Sequence, residues 1–176
     1  MFGTPFVAAD VRFFAYLAIA VTCLFKWTQA TAEGDSRPGT RTGGWLLIGA
    51  FWVALAIFQY RGGIHELTGF WRDEAYGEGW YSGRRSIQEI VITGVATGGT
   101  IAALAAFFFA PRKLRRYRVT VALSVLVACF IVVRSVSLHS VDAALGEDVA
   151  PGLRVGDAFE ISAALVVCAA ILLAPR

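Results

Sequence analysis

VTVALSVLVACFIVVRSVSL, residues 119–138, carries a single charge, Arg134, along its whole length. About 20 apolar residues are needed to cross a hydrocarbon core of roughly 30 Å, so the stretch reads as a membrane-spanning helix. Four more runs of the same kind lie around it: about 6–26, GWLLIGAFWVALAIFQY at 44–60, QEIVITGVATGGTIAALAAFFFA at 88–110, and AFEISAALVVCAAILLA at 158–174. The chain of 176 residues is 57% hydrophobic and 16% charged, with a mean hydropathy of +0.62. A soluble domain carries roughly a quarter charged residues. The expected fold is therefore all-α: one integral membrane helical bundle over residues 1–176, with about five transmembrane helices and an interfacial loop at 61–87.

The net charge of +3 is gathered in one short segment rather than spread as a stripe, which argues against a nucleic-acid partner. Cys23, Cys129 and Cys168 all fall inside apolar runs and read as small buried hydrophobes. Ala30-Thr31-Ala32 after the first run resembles a signal cleavage site, but Asp10 beside Arg12 denies that run the usual positive start. A retained helix is expected there.

Orientation follows the lysines and arginines of short loops. Between the third and fourth runs, PRKLRRYR carries Arg112, Lys113, Arg115, Arg116 and Arg118 and no acid. That loop is expected on the cytoplasmic side of a bacterial-type inner membrane, with the N-terminus outside and the C-terminus inside. The four arginines of 61–87 run against this rule, although acids accompany them. Trp71, Tyr76, Trp80 and Tyr81 suit that segment to an amphipathic element at headgroup level.

Charges inside spans are rare and usually face a bundle interior. Asp10, Arg12, Glu89, Arg134 and Glu160 all sit near span ends. Because successive spans alternate in direction, all of them lie at the same end of the bundle, whichever way it is inserted. For the three acids the plain account is a carboxylate at a helix N-terminus, favoured by about 0.3–1 kcal/mol. Arg134 differs. Its side chain tilts back toward the membrane interior, so a partner is expected, either Glu89 or Glu160.

Two polar motifs flank this layer. In WYSGRRSIQ, helical spacing puts Tyr81, Arg84 or Arg85, and Gln88 on one face; with Glu89 and Arg134 they form a candidate ligand-binding set. The arginines suit a lipid phosphate, against the alternative that they pair with Asp73, Glu74 and Glu78 in their own loop. In RSVSLHSVD, Ser135, His139 and Asp142 share a face. His139 as general base and Asp142 as its orienter are the catalytic candidates, although one helix face rarely builds a Ser-His-Asp triad and no GxSxG elbow is present. His65 and His139, both just beyond span ends, are the candidate ligands for a haem or a metal ion.

Gly94, Gly98, Ala102 and Ala106 recur at intervals of four along the third span, the pattern that lets helix backbones approach closely. It suits a second copy of the chain or a larger membrane complex. The leading expectation is an accessory, assembly or lipid-binding subunit in contact with membrane lipids, with a polar site in the outer leaflet. A membrane-embedded enzyme acting on an amphiphilic or lipid-linked substrate is the alternative, and a haem or quinone redox protein comes after it.

Overall fold

The computed structural model describes residues 6–32, 43–77, 83–136, 145–150 and 153–174. The chain is a helical bundle in which five helices are long and apolar enough to cross a membrane. They are α1 (Phe6–Ala32), α2 (Gly43–Tyr60), α4 (Arg84–Phe108), α5 (Arg118–Val136) and α6 (Val155–Leu173). A shorter helix, α3 (Gly63–Gly77), lies between α2 and α4. A 3-10 turn, Arg112–Tyr117, leads into α5, and a short antiparallel ladder, Asp148–Ala150 with Leu153–Arg154, precedes α6.

The helix ends differ from the expected spans in informative ways. The first helix runs unbroken to Ala32, so Ala30-Thr31-Ala32 forms its last turn rather than an extended segment. Its 27 residues extend roughly 40 Å, more than the hydrocarbon core requires. Residues Arg61 to His65, at the start of the expected interfacial loop, are instead a tight junction. Gly62, at φ 78, takes the left-handed conformation open to glycine, and its N–H donates to the Gln59 carbonyl at 3.1 Å. Helix α3 then starts at Gly63, where any Cβ would collide with the Phe58 ring. His65 lies exposed in the first turn of α3.

Helices α1, α2, α5 and α6 form the core. Each turns a row of residues at helical spacing inward: Tyr16, Ile19 and Cys23; Trp45, Gly49, Trp52 and Ala56; Ser124, Val127 and Ile131; Ala164, Val167 and Ile171. Tyr16 packs at a tilt against Trp52 with ring centroids 5.2 Å apart, and Trp52 donates its indole N–H to Ser124 at 3.1 Å. This bond joins α2 to α5 across the middle of the bundle, where neither group has water to turn to. At the other end, Tyr117 meets Trp45 edge-on at 4.7 Å and closes over Gly44, where an added Cβ would lie 2.6 Å from its ring.

Helix α4 stands outside this core and packs chiefly on α5. In its most apolar stretch 11% of residues are buried, against 22% to 33% in the other four spanning helices. The contact uses Gly99 and Ala103. Gly99 is buried, and a Cβ there would run into Cys129. The expected stripe sits further round the helix: Gly94, Gly98 and Ala102 are exposed, with nothing near the place of a Cβ at either glycine. Within this chain the close approach of α4 therefore rests on a neighbouring pair of small residues.

Candidate functional site

The inward rows of the four core helices all end in polar residues at the same end of the bundle. The α1 row begins with Arg12 and Tyr16, the α2 row finishes with Gln59, the α5 row with Arg134, and the α6 row opens with Asp157 and Glu160. Glu160 is fully buried, and Asp157 is 4% exposed. Arg12 and Arg134 keep 14% and 16% of their side chains accessible. These groups converge into one network.

Arg134 donates through Nη2 to Asp157 Oδ1 at 3.0 Å and through Nη1 to Glu160 Oε1. Arg12 Nη1 lies 3.0 Å from the same Asp157 oxygen and 3.6 Å from the same Glu160 oxygen. The second oxygen of Glu160 accepts from the Tyr16 hydroxyl at 2.7 Å and from the Gln59 amide at 3.2 Å. The second oxygen of Asp157 faces the Arg154 backbone N–H at 3.4 Å, in the capping box that starts α6. Gly156 makes room for the guanidinium: a Cβ there would stand 3.2 Å from Arg134 Cζ.

Two guanidinium groups and two carboxylates balance to zero. Burying an ion is tolerated when it is paired and its remaining lone pairs and protons are satisfied, and Glu160 meets that condition at both oxygens. Such a network holds four helices in one register. It leaves no described carboxylate oxygen of Glu160 free to act as a base, and both terminal nitrogens of Arg134 are engaged. The Arg12 Nε is the one group of the cluster that is buried with no hydrogen-bond partner among the described residues.

The expected site residues divide around this cluster. Arg134 is paired, as expected, and its partner is Glu160 rather than Glu89, joined by Asp157, which lies one residue before the expected start of the fifth span. Glu89 is exposed on α4 and pairs with Arg85 at 3.1 Å, one turn apart. Asp10 is exposed. Gln88 donates to the Val136 carbonyl at 2.9 Å, tying the start of α4 to the end of α5. Arg84 is the first residue of α4. Tyr81, His139 and Asp142, which include the expected catalytic pair and the second candidate haem or metal ligand, lie outside the described residues. Among the described residues no group of three or more His, Cys, Asp or Glu gathers to hold a metal.

Tyr16, Gln59 and Asp157 were not singled out from sequence. Each carries a signal in retrospect. Tyr16 is one turn beyond Arg12, Asp157 one turn before Glu160, and Gln59 three residues beyond Ala56 on the inward row of α2. Helix α3 lies beside the cluster end of α5, with the Thr68 hydroxyl donating to the Ser135 carbonyl at 2.9 Å. The Trp71 indole nitrogen, on the same helix, is buried with no hydrogen-bond partner among the described residues.

No family model, curated protein or solved structure matches the chain.

Proposed function

We propose that the protein is a non-catalytic accessory or assembly subunit of a bacterial-type inner membrane. In this reading its four-helix core is a fixed scaffold, and α4 seats a transmembrane helix of a partner. The observation that carries it is the open side of α4, where Gly94, Gly98 and Ala102 are exposed on a helix that itself packs chiefly on α5. Lipid tails gain nothing from a groove of small residues, whereas a facing helix gains close backbone packing. The polar residues add support. The cluster at Glu160 is closed and charge-balanced, as suits a clasp better than a reaction centre.

The lysine and arginine distribution supports an orientation with PRKLRRYR and the C-terminus in the cytoplasm and the N-terminus outside. The ion cluster then lies in the outer leaflet.

The test is the mass of the assembly in native-lipid nanodiscs. The wild type is expected to run above its own 19.0 kDa, with a second copy or an identifiable partner. Gly98→Leu should release it while leaving its thermal unfolding unchanged. A wild type that is monomeric in native lipid, or an assembly indifferent to Gly98→Leu, would overturn the reading.

A further inference from the structure

At the end of the bundle remote from the ion cluster, the 3-10 turn Arg112–Tyr117 brings basic residues to the mouth of α5 with no acid among them. The described side chains of this turn form no ion pair. Arg118 lies over the Phe107 ring, 4.9 Å from its centroid. Arg116 is more constrained. Its guanidinium carbon stands 5.0 Å from the centroid of Tyr117, whose ring is itself held by Trp45 and Gly44. Two of its nitrogens, Nε and Nη2, are buried and have no hydrogen-bond partner among the described residues. One helical turn on, Thr120 is 1% exposed, and its hydroxyl also lacks a partner among the described residues.

The identity of those two nitrogens matters. Nε and Nη2 form one edge of the guanidinium, the fork that meets two oxygens of a phosphate or carboxylate at once. A charged fork without an acceptor is costly in a protein interior. The long side chain can turn the open edge outward to the headgroup layer. The start of α5 adds the positive end of a helix dipole to the same place.

We propose that Arg116, with Thr120 beside it, binds one phosphate group at the membrane surface, supplied by an anionic phospholipid headgroup. Arg112 and Arg115, exposed on the same turn, attract the anionic surface without recognising the phosphate. The site is independent of the α4 surface and of which side of the membrane the turn occupies.

Thermal unfolding in detergent, with added phosphatidylglycerol, phosphatidylcholine or inorganic phosphate, tests this directly. Phosphatidylglycerol should raise the midpoint of the wild type by several degrees, and the other two should not. Arg116→Lys keeps the charge and removes the fork, so it should weaken phosphatidylglycerol binding by roughly tenfold. Thr120→Val keeps the shape and should weaken it less, and Arg112→Gln should act mainly through salt dependence. Should Arg116→Lys fail to fold, Thr120→Val against Arg112→Gln makes the same distinction. An equal shift in wild type and Arg116→Lys would overturn the site, because general attraction would then account for the binding. A shift produced by inorganic phosphate and lost in Arg116→Lys would overturn the lipid source while keeping the phosphate chemistry.

Discussion

Arg12 and Arg134, on helices far apart in sequence, both reach Oδ1 of Asp157 at 3.0 Å. Two like charges share one carboxylate oxygen, and the arrangement holds because Glu160 supplies the second negative charge. The cluster is thus a single electrostatic unit rather than a set of separable pairs.

Glu160→Gln should therefore be the most damaging single change in the cluster. It leaves two buried guanidinium groups facing one carboxylate, a loss of about 3–5 kcal/mol when one partner of a buried pair is removed. Tyr16→Phe removes one hydrogen bond to a charged group and should cost about 1.5–3 kcal/mol. Reversible unfolding in mixed detergent micelles gives both values; a Glu160→Gln protein as stable as Tyr16→Phe would contradict the clasp.

Removing one charge of each sign should be milder than the two changes taken separately. Arg12→Gln with Asp157→Asn leaves a neutral pair, Arg134 and Glu160. A double-mutant cycle should show a coupling of about 0.5–3 kcal/mol between positions 12 and 157. Strict additivity would mean that the two residues do not act through each other.

Trp52 and Ser124 offer a neutral counterpart. Trp52→Phe strands the Ser124 hydroxyl in the core, at a cost of about 1–3 kcal/mol beyond the lost ring contacts. Adding Ser124→Ala should recover much of that cost, because an apolar pair leaves nothing unsatisfied. Thermal unfolding of the three variants decides it.

The two small faces of α4 should respond differently to bulk. Gly99→Leu drives a side chain into Cys129 and should destabilise the α4–α5 contact by about 1–3 kcal/mol, read as a lower unfolding midpoint. Gly94→Leu meets open space and should leave the midpoint within about 0.5 kcal/mol of the wild type. Equal effects at both positions would place α4 differently from the arrangement described.

Orientation can be read with a thiol reagent that does not cross membranes. A cysteine introduced as Arg115→Cys should be labelled only in opened cells, and Glu74→Cys in intact ones. The reverse pattern would invert the bundle without altering the convergence of its charges.

The location of the cluster was legible early, because alternating spans must bring Asp10, Arg12, Glu89, Arg134 and Glu160 to one end. Which of them converge was not. Glu89 and Glu160 both open a helix, yet α4 lies outside the core and α6 within it, so one carboxylate pairs on the surface and the other is enclosed. The expected fifth span begins one position after Asp157; the capping box carries the helix back through it. The interior rows were hidden for a physical reason. In water a helix shows its inner face by contrast with a polar outer one, but in lipid both faces are apolar and the period fades.

By itself the sequence determined the number of spanning helices and the end at which their charges gather. Both follow from run length, bilayer thickness and the alternation of direction, none of which requires knowledge of packing. Only the tertiary structure decided that α1, α2, α5 and α6 enclose the core, that α4 stands outside it, and that Arg12, Arg134, Asp157 and Glu160 form one closed network. Those outcomes depend on the rotation of each helix about its own axis. That rotation is set by which small residues let neighbours approach, as at Gly99 and Gly156, and by where buried charges find partners.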